Sequence, residues 1–145
     1  MRTLRERLAA REPDDDGSVL LLTLGYAILA IVTVLVCVDA TSLYLAQKRL
    51  DALADAAALA GADGFTLSVT EGEAHAELNS ESVRAQADAL IGAVGGDVIL
   101  IAAGTPDGVS ARVTVAGSWR PPVLTLFVPE DVALEATATS RTALR

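Results

Sequence analysis

From residue 19 to residue 38 the chain reads VLLLTLGYAILAIVTVLVCV, twenty positions with no charge and no polar face. At about 1.5 Å per residue a helix of this length spans roughly 30 Å, the thickness of a bilayer's hydrocarbon core. The pattern predicts a single transmembrane helix over residues 18–38. A secretory signal has an apolar stretch of only about 7–15 residues behind a basic start. Here the stretch is longer and the preceding residues are of mixed charge. The small residues around Ala40 leave one alternative, cleavage after Ala40 and release of the remainder. Bulky Val36 before Cys37 does not suit lipid attachment, so Cys37 reads as a lipid-facing or packing residue.

Beyond Val38 no Gly or Pro occurs until Gly61, and the segment is rich in Ala, Leu, Lys, Arg and Gln. Those residues favour helix. Leu43, Ala46, Leu50, Leu53, Ala57 and Ala60 recur in alternating steps of three and four, the heptad seam of a helix that packs along one stripe. With Gly61 as the stop, the pattern predicts one helix of about 43 residues, near 65 Å long. Traced backward, the seam passes Asp39 at the membrane boundary. That carboxylate reads either as an interfacial group in headgroup water or as a partner for a cation on a neighbouring subunit. Tyr44, one turn on, suits an interfacial aromatic position.

After Gly61 the periodicity changes. Residues 63–77 are mixed and acidic; a short strand over 65–69 is an option, but the stretch reads as loop. Asn79 or Ser80 caps a predicted helix reaching Val94, with Val83, Ala87, Leu90, Ile91 and Val94 as its apolar face and Gly95-Gly96 as its end. Three strands are predicted after it, over 98–103, 109–117 and 132–141. The second alternates Val109, Ala111, Val113 and Val115 against Ser110, Arg112 and Thr114; the third alternates Val132, Leu134, Ala136 and Ala138 against Glu135, Thr137 and Thr139. Thr105-Pro106-Asp107-Gly108 supplies the turn of a hairpin, Pro fixing φ and Gly offering a positive one. The prolines of WRPPVLTLFVP (residues 119–129) keep that connector out of a central strand. Its Val123, Leu126 and Phe127 either close the open end of the core or form an exposed apolar patch. A three-stranded antiparallel sheet needs one face covered, and the outer half of the long helix is the obvious cover. The expectation is an α+β protein, a long N-terminal transmembrane helix continuing into a small head with a three-stranded antiparallel sheet. Its segments are a leader at 1–17, the span at 18–38, the helix continuation at 39–61 and the outer domain at 62–145.

Composition agrees with this division. The chain has 145 residues, 52% of them hydrophobic and 3% aromatic, with a formal net charge of −8. Its mean hydropathy of +0.44 is high for a soluble protein of this size, and the division assigns much of that to lipid and to the alanine seam. From Ala62 onward 11 acidic residues face 5 basic ones, which argues against a nucleic-acid surface. The leader carries Arg2, Arg5, Arg7 and Arg11, whereas the first cations past the span are Lys48 and Arg49. That asymmetry predicts a cytoplasmic N-terminus and an outer head.

Candidate chemistry is sparse. One Cys and one His exclude an internal disulfide and a Cys/His zinc cluster. His75 stands among Glu71, Glu73 and Glu77, a set that reads as a solvated loop rather than a metal site. Gly92, Gly95 and Gly96 lack the strand-before, helix-after setting and the Lys of a phosphate loop. No Ser sits in a nucleophile elbow. The expectation is a non-enzyme without cofactor, metal or small-molecule substrate.

Residues 17–62 carry a resemblance. Gly17 before the span, Asp39 where the chain leaves it, an aromatic-bearing helix, and the block Leu53-Ala54-Asp55-Ala56-Ala57-Ala58-Leu59-Ala60-Gly61-Ala62 resemble the TadE/TadG-like proteins of the Flp (tight-adherence) pilus-assembly machinery. The resemblance implies a pilin-like outline and a membrane-anchored pseudopilin or minor-pilin role, exerted by helix packing against other pilus or secretion-system subunits. Asp39, Leu43, Ala46, Leu50, Leu53, Ala57 and Ala60 are then the candidate subunit contacts and Gly17 the candidate processing position. Prepilins carry Glu at the fifth residue after the processed Gly, where this chain has Leu22. An envelope protein, secreted or bitopic, with an acidic binding head is the alternative.

Overall fold

The computed structural model describes residues 15–70, 73–94, 96–123, 125 and 130–141. They form helix α1 (Asp15–Asp63), strands β1 (Thr66–Thr70) and β2 (Glu73–Glu77), helix α2 (Ser80–Val94), and strands β3 (Ile99–Gly104), β4 (Ser110–Trp119) and β5 (Val132–Arg141). Contacts divide the chain into two compact units, with the boundary between Val38 and Asp39.

The first unit holds the apolar part of α1. Its best 18-residue window has a mean hydropathy of 2.7 with none of it buried, and the helix is long and apolar enough to cross a membrane. Two threonines interrupt the hydrocarbon surface, and the helix satisfies both hydroxyls: Thr23 Oγ1 donates to the Leu20 carbonyl at 2.9 Å and Thr33 Oγ1 to that of Leu29 at 2.8 Å. A hydroxyl bonded to its own helix needs no water, which makes threonine tolerable in lipid.

In the second unit β3, β4 and β5 form an antiparallel sheet in that order. The fold is the expected α+β arrangement. Alternation along β4 buries Ala111, Val113 and Val115, and alternation along β5 buries Ala136 and Ala138. These five join Leu50, Ala54, Ala57, Ala58 and Ala62 of α1 and Val83, Ala87 and Ile91 of α2 in one core. On the opposite face Thr114 and Thr137 share a hydroxyl hydrogen bond of 2.9 Å, and Arg112 Nε donates to Thr139 at 3.3 Å. Such cross-strand pairs suit a sheet with one face on the core and one in water.

Four local readings need correction. Thr66–Thr70 and Glu73–Glu77 are antiparallel strands rather than loop, with Thr66 opposite Glu77 and Thr70 opposite Glu73. The glutamates at alternate positions disguised the second strand as a solvated segment. Gly61 does not stop α1, which continues to Asp63. Its function is clearance: a Cβ there would meet Val83 Cγ1 at 2.9 Å and Ala111 Cβ at 3.4 Å. Val94 is 62% exposed, so the apolar face of α2 stops at Ile91, with Leu90 partly buried. β3 carries an irregularity between Leu100 and Ala102, and Ile99 and Ile101 are exposed although the run looked continuously apolar.

Other details follow the sequence. Asn79 caps α2, its Oδ1 accepting from the Glu81 amide at 2.9 Å. Gly108 has φ +75°, as the β3–β4 turn requires. Asp107 closes that turn: Oδ1 accepts from the amides of Val109 (3.1 Å) and Ser110 (2.7 Å), and Oδ2 from the Ser110 hydroxyl at 2.9 Å. The Ser110 hydroxyl, followed by the two amides and the charge of Arg141, holds the Asp107 carboxyl below the usual carboxylate range. Leu126, Phe127 and the Gly95 half of the predicted glycine pair lie outside the described residues.

Two predictions follow from this packing. Gly61→Val forces two methyl groups against Val83 and Ala111 and lowers head stability by about 1–3 kcal/mol. Gly92→Ala, at a helical position with nothing within 4 Å, raises it by up to about 1 kcal/mol; chemical denaturation of the detergent-solubilised chain measures both. The second concerns pH. A depressed carboxyl stabilises the fold above its unfolded pKa of about 3.9, and the contribution disappears as pH falls through the lower folded value. The stability difference between the wild type and Asp107→Asn is therefore flat from about pH 7 to 5 and closes below about pH 4.

Candidate functional site

Helix α1 beyond Val38 has two faces with different occupants. The inner face carries the predicted seam. Leu50 (5% exposed) and Ala57 (0%) are buried against the chain's own sheet and α2, while Leu43, Ala46, Leu53 and Ala60 are half-buried. Heptad periodicity announces that a stripe is covered without saying by what, and here much of the cover is internal. The outer face presents Tyr44, Leu45, Ala52, Ala56 and Leu59, all exposed. Alanine spacing on that side attracted no notice in the sequence because charges interleave it.

Asp39 opens the inner face. Its carboxylate is 5% exposed, and Oδ1 accepts a hydrogen bond from the Val123 amide at 3.1 Å. The headgroup-solvated reading of Asp39 therefore does not hold. One turn further, Ser42 Oγ accepts from the Trp119 indole Nε1 at 3.1 Å. Gln47 then donates through Nε2 to the Glu135 carbonyl and to Asp51 Oδ1, each at 3.0 Å. Three polar side chains along α1 thus fasten the connector after β4, the end of β4, and β5. Pro121 in that connector is fully buried. The tie points of the connector were invisible in the sequence, where Asp39 and Val123 lie 84 positions apart.

Further along α1 lies a groove of about 490 Å³, lined by Ala46, Leu50 and Leu53 of α1, Val94, Val98, Gly117 and Leu134, with Arg49, Asp97 and Ser118 completing it. Three seam residues therefore reach an open surface. On the exposed side Lys48 Nζ bonds Asp51 Oδ2 at 3.0 Å and stands 6.0 Å from the centre of the Tyr44 ring. The hydrogen bond with Asp51 raises the Lys48 pKa, and the bonds from Lys48 and Gln47 lower that of Asp51. This pair is solvent-facing and marks the helix surface rather than a reactive centre.

Gly17 lies exposed on α1, with nothing within 4 Å of where its Cβ would be. Among the described residues, no group of three or more His, Cys, Asp or Glu side chains is placed to hold a metal ion. Glu71 of the predicted His75 set lies outside the described residues.

The Asp39 tie yields a direct test. Asp39→Ala leaves the Val123 amide without that acceptor and lowers head stability by about 1–3 kcal/mol. Emission of Trp119, the single tryptophan, moves to longer wavelength as the connector loosens, and Asp39→Asn has the smaller effect on both readouts.

No curated protein and no solved structure matches the chain. A family does: residues 17–64, running from the start of the apolar run to just past the end of α1, match the TadE/G-like Flp pilus-assembly family (Tad).

Proposed function

We propose that the protein is a single-pass pseudopilin- or minor-pilin-like component of a Tad-type pilus or secretion assembly. It acts by helix packing and protein–protein contact and catalyses no reaction. The observation that carries this reading is a coincidence of boundaries: the family match covers α1 nearly end to end, and the remaining residues build a head on its second half. The family match over residues 17–64 supports involvement in Flp pilus assembly, and one apolar helix fits a single-pass anchor. The Arg-rich leader supports a cytoplasmic N-terminus and an external head.

Other subunits meet α1 where the head leaves it open. Leu43, Ala46, Leu53 and Ala60 contribute from the half-covered seam, and Tyr44, Leu45 and Leu59 from the uncovered face. Leu50 and Ala57 serve the chain's own core first, and Asp39 acts on partners through the connector it holds. Small side chains such as Ala52 and Ala56 permit a close approach of a neighbouring helix. Gly17 is the candidate processing position, with the Leu22 departure bearing on it.

Site-specific photo-crosslinking in membranes of the native host tests this. A photoreactive residue at Leu59 or Leu53 is expected to capture pilus-system subunits, and one at Arg112 on the sheet is not. No capture at either helix position overturns the assembly role. In the same preparation, mass spectrometry finds the mature N-terminus intact or cut after Gly17; a cut after Ala40 with the head in the soluble fraction favours the released binding protein instead.

A further inference from the structure

The three-stranded sheet has two edges, and the chain treats them differently. β3 is irregular in its pairing and has α2 packed against it. β5 pairs with β4 without interruption from Val132 to Arg141, and among the described residues no strand lies along its other side. That edge, VALEATATSR, contains no Pro, no Lys and no bulge, the usual devices that prevent strand addition.

We infer that β5 pairs antiparallel with β5 of a second copy, about a twofold axis at Ala138, giving a continuous six-stranded sheet. Charge and face select this register. Odd-numbered side chains of β5 lie on the outer face and even-numbered Ala136 and Ala138 on the core face. A symmetric antiparallel pair keeps the faces in register only when opposed residue numbers sum to an even value. Centred on Ala138, the pairing sets Glu135 opposite the second copy's Arg141, and Arg141 opposite its Glu135. Thr137 meets Thr139, and Ala138 meets itself. Moving the axis by one residue to Thr137 or Thr139 leaves neither charge opposite its complement. The contacts repeat chemistry already present within the sheet, where Thr114 bonds Thr137 and Arg112 bonds Thr139. Gln47 occupies the Glu135 carbonyl, so backbone pairing runs over 136–140 and the Glu135 and Arg141 side chains close each end. Arg141 also donates through Nε to Ser110 Oγ at 3.2 Å, and its Nη2 stands 3.9 Å from Asp107 Oδ2; Nη1 is the nitrogen that meets the partner's carboxylate. An isologous contact of this kind closes as a dimer.

The full chain in detergent, sized by light scattering, provides the test. Wild type is expected to dimerise. Glu135→Arg places cations opposite cations, Arg141→Glu places anions opposite anions, and each alone weakens the dimer about tenfold or more. Mixed in equal amounts the two variants restore it, because both pairs become complementary again. As a second measure, on a Cys37→Ala background, a mixture of Thr137→Cys and Thr139→Cys chains is joined by a short thiol crosslinker, while either variant alone is not. A monomeric wild type, or a dimer indifferent to both charge reversals with no crosslink in the mixture, overturns the inference. Neither result bears on capture at Leu59 or Leu53, so this contact and the assembly role fail separately.

Discussion

The structure depends on how closely α1 approaches the sheet. Ala54, Ala57, Ala58, Gly61 and Ala62 on the helix face Ala111, Val113, Val115, Ala136 and Ala138 on the strands, so little side-chain volume separates the backbones. Close approach brings Ser42 within reach of Trp119 and Gln47 within reach of the Glu135 carbonyl. Residues of α1 and α2 together share the core on one face of the sheet, with α2 packed against β3. Larger residues on either side would lift the helix away and break those polar ties together. Gly61 is the tightest of the described glycines, and the Val83 beside it is fully buried and of a β-branched type that is stiff at χ1.

That geometry explains why one helix can serve two purposes. Beyond Val38 more than half of the positions of α1 are buried or half-buried against the head, and the remainder form an exposed face. Alanine on the covered stripe keeps the head near the helix axis; alanine at positions 52 and 56 on the open side leaves room for a neighbour. The polar ties at Asp39, Ser42 and Gln47 fix the connector and strands to the same face, so the open side is not crossed by the connector residues described. Outside the membrane, the division between what holds the head and what is left for partners is therefore a matter of side-chain size around the helix.

Much of this was legible from residue order. Uncharged length gave the membrane helix, alternation gave β4 and β5, Asn79 gave the start of α2, and Pro106-Asp107-Gly108 gave the turn. What failed shares a cause: a one-dimensional pattern reports that a position is covered or exposed, never by which partner. The seam residues Leu50 and Ala57 join the chain's own core, which the heptad could not say because nothing in it names its neighbour. Asp39 looked like an interfacial charge because its acceptor role depends on an amide far along the chain. Gly61 resembled a helix stop because glycine's absent side chain serves both endings and close contacts. Thr66–Thr70 and Glu73–Glu77 pair through their backbones while carrying side chains that suit solvent, so hydropathy could not distinguish the paired strands from a loop.

A core built this way has a thermodynamic signature. The largest fully buried side chains are Val83, Val113, Val115 and Pro121, with no aromatic among them. Unfolding the head therefore exposes modest apolar area per residue, and heat-capacity change and denaturant sensitivity both scale with exposed area. The stability curve of the head is correspondingly shallow, varying little over a wide range of temperature. For this head, that flatness substitutes for a deep free-energy minimum: constancy across changing surroundings comes from having little hydrophobic surface to lose.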